Sequence, residues 1–420
     1  MKILNDSKFS AMIEQVWFVL FCSVVFLASV KVTGFQYFEI PKAGIIALLF
    51  IFSGILIFKR VTLDMSFIFL FEALFFVAFK ENLGLQFYDV PFFYIAVASY
   101  FLPKLIIIGN RNKGTTRTWD MYITIMLGTY VGGMIEAIYN KKIGYFNTEI
   151  YISPWTKEEH TRCLYEIYFV LITSSIFAIV LLFNIDIRIK IVVVLLQILA
   201  LYETITHEGR LNLFMLILTV PLLLALYLID KRKEIGKKTK TVLLTGIIMF
   251  FLLSILIYII VAINLFNLGD VYKKSFLAGS GGIIHNVRFE IYRQVFPKLA
   301  DYPHGNITEI HKWDTNNLWL KYHNYHGLQV SVLLMLFALT SLIDAIRLVF
   351  IKNTWNIKYI LVSSLVMLDL YYFLDGNGYD FRFGPMLLFF VAGLIRGNLE
   401  NAYSENKLII TTGLGDKFVK

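Results

Sequence analysis

The chain has 420 residues, of which 58% are hydrophobic and 16% charged, with a mean hydropathy of +0.67. Soluble globular proteins run about 45–50% apolar and about 25% charged, so this composition excludes a water-soluble enzyme or binding module and makes lipid the main solvent. The formal charge of +9 comes from basic residues scattered between apolar runs rather than gathered in a patch, which argues for membrane topology and against a nucleic-acid partner.

A helix needs roughly 20 mainly apolar residues to cross a bilayer. Twelve such runs are centred, in chain order, on residues 16–33, 43–58, 65–80, 90–108, 121–139, 164–183, 189–205, 211–229, 241–266, 327–350, 357–374 and 383–396. No small-residue cleavage pattern follows the first run, which reads as an uncleaved span. The two cysteines, Cys22 and Cys163, fall in apolar runs and offer neither a disulfide framework nor a metal site. The expected fold is an all-α polytopic membrane protein of about 12 transmembrane helices. It forms one integrated domain: helices 1–9 over residues 1–266, a large extracytoplasmic loop with short helices over 267–326, and helices 10–12 with a cytoplasmic tail over 327–420.

An even number of spans puts both termini on one side. If that side is the cytoplasm, 23 of the 39 Lys and Arg fall on inside segments, including the cluster from Lys231 to Lys240. Nine fall on short outside segments, and seven lie in the long loop, which the positive-inside rule discounts. Cytoplasmic termini and an external loop follow.

Three acids lie in or near spans: Glu72, Glu136 and Asp369. Carboxylates at membrane depth are costly and mark proton or substrate pathways by default. Gly128 and Gly132 have the spacing of close helix packing. Arg210 stands at the outer mouth of the eighth run, after His207 and Glu208, with no further charge until Asp230. It is either an interfacial anchor or an anion ligand facing the loop.

The loop holds five of the seven histidines, His285, His304, His311, His323 and His326, beside Tyr302, Trp313, Trp319, Tyr322 and Tyr325. The spacing of Phe289, Tyr292, Phe296 and Leu299 predicts a helix over 285–299, with Pro297 opposing its last turn. Arg288 and Arg293 flank that stripe. They suit lipid headgroups on an interfacial helix, or a phosphate, which a guanidinium binds through its planar fork. His323 and His326 share a helical face, a spacing metals can use, but no HExxH glutamate or nearby cysteine accompanies them and no metal is assigned. One imidazole could instead act as general base, and Asp314 competes for that role. The GSGG at 279–282 lacks the lysine of a Walker loop, and no dinucleotide fingerprint or GxSxG elbow occurs.

Taken together, these features resemble the O-antigen and capsular polysaccharide polymerases (Wzy type), which share a superfamily with the O-antigen ligases. The resemblance covers the topology of the whole chain and local patterns in residues 207–328. There Arg210 opens a mid-chain span and NVRFEIYRQVFPKL supplies an arginine-led loop helix with Arg288. Pro303 and Gly305 follow, and DTNNLWLKYHNYHGL holds Asp314, Asn317 and Gly327. Where the family places a histidine immediately before the asparagine, this chain has Asn316, which leaves the base open among Asp314, His323 and His326.

The resemblance implies a metal-independent, cofactor-free glycosyltransferase of the multi-helix, lipid-carrier-dependent type in a bacterial inner membrane. It would join undecaprenyl-pyrophosphate-linked repeat units on the outer face, with a flippase and a chain-length regulator as partners. Arg210, Arg288 and Arg293 would hold pyrophosphate, and Trp313, Asn317 and Trp319 would meet sugar. The rival expectations are a polysaccharide flippase or proton-coupled transporter, which would centre on midplane groups such as Glu72, and a scaffold whose loop binds a partner.

Overall fold

Where the sequence alternates apolar runs with basic or polar connections, the backbone of the computed structural model is helical. It describes residues 7–31, 40–79, 89–110, 113–144, 150–152, 154, 157, 159–161, 178–180, 182, 186–188, 190–195, 197, 210–231, 236–263, 292–305, 317–351, 356–374 and 386–415. The helices are α1 (Ser7–Lys31), α2 (Ile40–Phe58), α3 (Met65–Phe79), α4 (Asp89–Gly109), α5 (Gly114–Ile143), α6 (Arg210–Lys231), α7 (Lys237–Ala262), α8 (Leu318–His326), α9 (Leu328–Phe350), α10 (Ile357–Leu374) and α11 (Met386–Gly415). A small antiparallel pair, β1 (Ile150–Ile152) and β2 (Glu159–Thr161), follows α5 with Tyr151 opposite His160.

Among the described residues, five helices are long and apolar enough to cross a membrane: Phe9–Val30, Val90–Gly109, Gly114–Ile143, Leu328–Phe350 and Ile357–Leu374. They coincide with the first, fourth, fifth, tenth and eleventh expected spans. Lys42–Phe58, Met65–Ala78 and Thr239–Leu252 are shorter apolar helices. The expected spans at 164–183 and 189–205 fall largely outside the described residues, as does the loop from 267 to 291.

α4 is the hub, packed against α2, α3, α5 and α11, and 78% of its apolar window is buried against 17% for α1 on the rim. Between lipid-exposed helices the hydrophobic effect supplies little net attraction, so close backbone approach and dispersion hold the pairs together. Gly128 and Gly132 serve this purpose. A Cβ at Gly128 would lie 2.8 Å from the Phe26 carbonyl oxygen of α1, and one at Gly132 would lie 2.5 Å from that of Val30. The α4–α11 contact uses the same device, since a Cβ at Gly393 would collide with the Tyr100 carbonyl.

One end of the bundle is tied together by charge. Asp64 caps α3 by accepting from the Phe67 amide (2.9 Å), accepts from the Tyr100 hydroxyl (2.8 Å) and pairs with Lys104 of α4. Lys104 reaches Glu400 at 3.3 Å, and Arg396 bridges Glu400 (2.8 Å) to Asp344 of α9 (3.0 Å). Beside this network, Lys358 at the start of α10 is 1% exposed, and it donates to Asp230 at 2.8 Å and to the Val349 and Ile351 carbonyls at 3.2 Å. Such buried ions are tolerable because each is paired and hydrogen-bonded; removing one partner of a buried pair costs about 3–5 kcal/mol. Asp230 lies near the end of α6 and Lys358 near the start of α10, so these helices run antiparallel. Arg210, roughly 30 Å along α6 at about 1.5 Å per residue, therefore belongs to the opposite end of the bundle, with the last turn of α10.

Candidate functional site

At that opposite end, the segment preceding α9 docks on α10. The chain enters α8 through Asn317, whose extended backbone (φ −128°, ψ 114°) makes it the N-cap. Its Oδ1 accepts from the Leu320 amide (3.0 Å), satisfying an orphan helix donor, and its Nδ2 donates to the Phe373 carbonyl (2.9 Å). The Tyr292 hydroxyl donates to the same carbonyl at 3.0 Å. One carbonyl in the last turn of α10 thus anchors two separate parts of the loop. Tyr292, Val295 and Leu320 form a small buried cluster with Leu299 and Tyr302 against it, and the Phe296 ring stacks on Phe373 with centroids 6.4 Å apart.

The expected helix over 285–299 takes a different form here. Residues before 292 lie outside the described part; residues 292–295 form one helical turn, which tightens into a 3-10 helix over Phe296–Asp301. Pro297 is the cause, because it has no amide proton for the Arg293 carbonyl and its ring crowds that turn. Along the inward stripe, Tyr292 and Val295 are buried with Leu299 partly buried against them, while Phe296 is 38% exposed and Arg293 is exposed. The segment packs on protein through this stripe.

His323 is 1% exposed, with Nε2 at 3.0 Å from the Tyr302 carbonyl oxygen and Nδ1 at 3.1 Å from Ser331 Oγ. A carbonyl can only accept, so Nε2 carries a proton and Nδ1 faces the serine hydroxyl. The imidazole ties the 302–305 turn to the first turn of α9, and both of its nitrogens are engaged inside the protein. The Leu328 amide donates to the Pro303 carbonyl (2.9 Å), and Gly305 lies against the α8 backbone at Asn324. Gly327 joins α8 to α9 at φ 87° and ψ −179°, a conformation that is essentially glycine-only. Pro303, Gly305 and Gly327 of the motif stretch thus converge on the α8–α9 junction, while Asn317 fixes the other end of α8 to α10.

His326 is 2% exposed, its ring centroid 6.0 Å from that of Tyr322 and 6.5 Å from that of Tyr325. Among the described residues, no group of three His, Cys, Asp or Glu side chains is placed to hold a metal. Trp319, 8% exposed, packs into the main core, whereas Tyr325 is 49% exposed. Arg210 is the first residue of α6, and its side chain is outside the described part, as are Arg288, Trp313 and Asp314 altogether.

The three intramembrane acids separate. Glu72 is exposed on the outside of α3, and Glu136 is wholly buried in α5. Asp369 has both carboxylate oxygens buried with no hydrogen-bond partner among the described residues. The contributions of Tyr302, Ser331 and Phe373 escaped sequence reasoning. Two of the three act through backbone carbonyls, which leave no side-chain signature, whereas Asn317 directly before an apolar helix is a readable N-cap signal. Comparison of the chain with protein-family models, curated proteins and solved structures finds no match.

Proposed function

We propose that this chain is a membrane glycosyltransferase that polymerises undecaprenyl-pyrophosphate-linked oligosaccharide repeat units into O-antigen or capsular polysaccharide on the outer face of a bacterial cytoplasmic membrane. One observation carries the reading: the antiparallel α6–α10 pair brings residue 210 to the same end as the docked loop, with α6 packed on the α9 and α10 helices that also receive α8. In this reading the cation at the head of α6 and the docked loop border a common region, where an anionic diphosphate and an acceptor sugar meet. The basic, ion-paired end, with Arg60, Lys231, Arg347 and Lys358, is taken as cytoplasmic by the positive-inside rule.

In this proposal the acceptor hydroxyl attacks the anomeric carbon of the donor sugar, and the carbon–oxygen bond to pyrophosphate breaks. Arg210 and Arg288, assisted by Arg293, stabilise the charge developing on the leaving group, an effect worth about 3 kcal/mol per well-placed donor. Asp314 or His326 takes the hydroxyl proton. His323 and Asn317 become positioning residues because their polar atoms hold the loop together. Sugar stacking passes to Trp313 and the exposed Tyr325.

The test is extension of defined lipid-linked repeat units by the purified chain, scored as a ladder on a gel. Wild type should form the ladder, and Arg210→Ala and Arg288→Ala should lose it while still inserting normally. Ladders at wild-type level in both variants would remove the arginines from the mechanism, and none from wild type with any repeat unit would end the polymerase reading. A second reading, proton-coupled transport, draws on Asp369, since a carboxyl buried at membrane depth with no hydrogen-bond partner among the described residues is a default proton site. If Asp369→Asn abolished a proton-dependent flux while the arginine variants did not, transport would replace polymerisation.

A further inference from the structure

The helices α1, α2, α4 and α11, which do not receive the docked segment α8, enclose a groove of about 430 Å³, within the roughly 300–1,000 Å³ typical of small-molecule sites. Phe21, Leu27, Ile46, Phe50, Leu102 and Phe390 are among its lining side chains. Two lining residues are polar. Ser99 turns its hydroxyl back onto the Ile95 carbonyl (2.8 Å), which leaves that wall effectively apolar. The other is Lys42, in the first turn of α2, exposed and, among the described residues, accompanied by no carboxylate in the groove lining.

The two ends of α2 fix where Lys42 sits. The C-terminal end leads into Arg60, which donates to the Ile108 carbonyl (3.2 Å) near the ionic network, so Lys42 lies at the opposite membrane boundary. There the first turn of α2 adds its own partial positive charge to the ammonium. The groove is therefore a hydrocarbon-lined slot inside the bilayer with a cationic rim at headgroup level. Among the described residues, only the back-bonded Ser99 hydroxyl and the Lys42 rim offer water a hydrogen-bond partner, whereas an alkyl chain gains by filling the slot.

We propose that the groove is the binding site of one anionic phospholipid, its acyl chain between α1, α2, α4 and α11 and its phosphate on Lys42. None of the helices forming it carries Arg210, Asn317, His323 or His326, so the site is separate from the proposed reaction and its test is independent of that reading.

The full-length chain, purified in mild detergent, is titrated with phosphatidylglycerol and separately with phosphatidylcholine of the same acyl chains, and retained lipid is counted by native mass spectrometry. Wild type should hold one phosphatidylglycerol in preference to phosphatidylcholine. Lys42→Gln, at an exposed position that leaves the fold intact, should weaken phosphatidylglycerol about fivefold, as expected for one surface lysine, and leave phosphatidylcholine unchanged. Ala47 of α2 also lines the groove; Ala47→Phe, which fills the slot, should reduce both lipids without shifting the thermal midpoint by more than a few degrees. Equal retention of the two lipids by wild type, or no effect of Lys42→Gln, would overturn the proposal. So would Lys42-dependent retention of a polyprenyl phosphate in preference to phosphatidylglycerol, which would make the slot a carrier-lipid site instead.

Discussion

Asn317 and His323 show how a polar side chain in a candidate site can serve the scaffold. Asn317 uses its two amide atoms in different roles, one capping α8 and one holding the Phe373 carbonyl, and the roles can be separated. Asn317→Asp keeps an acceptor for the Leu320 amide but sets a carboxylate against a carbonyl; Asn317→Ala loses both bonds. Loss of the cap costs about 1 kcal/mol, and loss of the second bond to the Phe373 carbonyl, which keeps its Tyr292 donor, costs about 0.5–1.5 kcal/mol. Both variants should therefore unfold more readily in micelles, and Asn317→Asp should be no more stable than Asn317→Ala. A substantially more stable aspartate variant would show that the Phe373 bond contributes little. For His323 the separation is between stability and chemistry. Since both ring nitrogens are engaged by Tyr302 and Ser331, His323→Gln should lower thermal stability and total polymerisation yet leave the shape of the pH–rate profile as in wild type. Loss of one limb of that profile would instead identify His323 as the base.

At the scale of whole helices, small residues decide which pairs approach closely. The α1–α5 contact places the Val30 carbonyl 2.5 Å from where a Cβ on Gly132 would stand, and backbone, unlike a side-chain tip, cannot rotate away. Gly132→Ala should cost about 1–3 kcal/mol through overpacking, seen as a lower thermal midpoint. Ile138→Ala, on the exposed face of the same helix, should change it little; equal effects would mean that α1 yields to the intrusion. The helices themselves were legible because a bilayer imposes a length and an apolar composition on each, which is why α4, α9 and α10 match their expected runs closely. The Gly128–Gly132 spacing was legible for the same local reason. What the sequence concealed is long-range. Asp64, Lys104, Asp344, Arg396 and Glu400 meet in one network, although no local pattern links a residue after the second span to one after the twelfth. The helix expected over 285–299 gave way near its end at Pro297, the residue that already opposed it, because a 3-10 turn keeps Tyr292 buried and Leu299 packed against it without the missing amide.

For the molecule as a whole, the distribution of polar groups gives the bundle two unlike ends. One collects paired ions on α3, α4, α6, α9, α10 and α11, and the other collects backbone-anchored tyrosine, asparagine and histidine on the docked loop. A cytoplasmic surface facing anionic lipid and a retained positive charge suit the first end. The second suits a reaction on a substrate already delivered across the membrane. Orientation is therefore the physical condition on which the proposed chemistry depends, and exposed positions at each end report it directly. Tyr325 is exposed beside the α8–α9 junction, and Lys237 is exposed at the start of α7, a few residues beyond the ion-paired end of α6. In a background where Cys22 and Cys163 are replaced by serine, Tyr325→Cys should react in intact cells with a membrane-impermeant maleimide. Lys237→Cys should react only after permeabilisation. The reverse pattern would put the loop and Arg210 in the cytoplasm, where polymerisation on the outer face is impossible. Labelling of both positions in intact cells would mean that α6 and α7 do not cross as the antiparallel α6–α10 pair requires, and the common region between Arg210 and the loop would be lost.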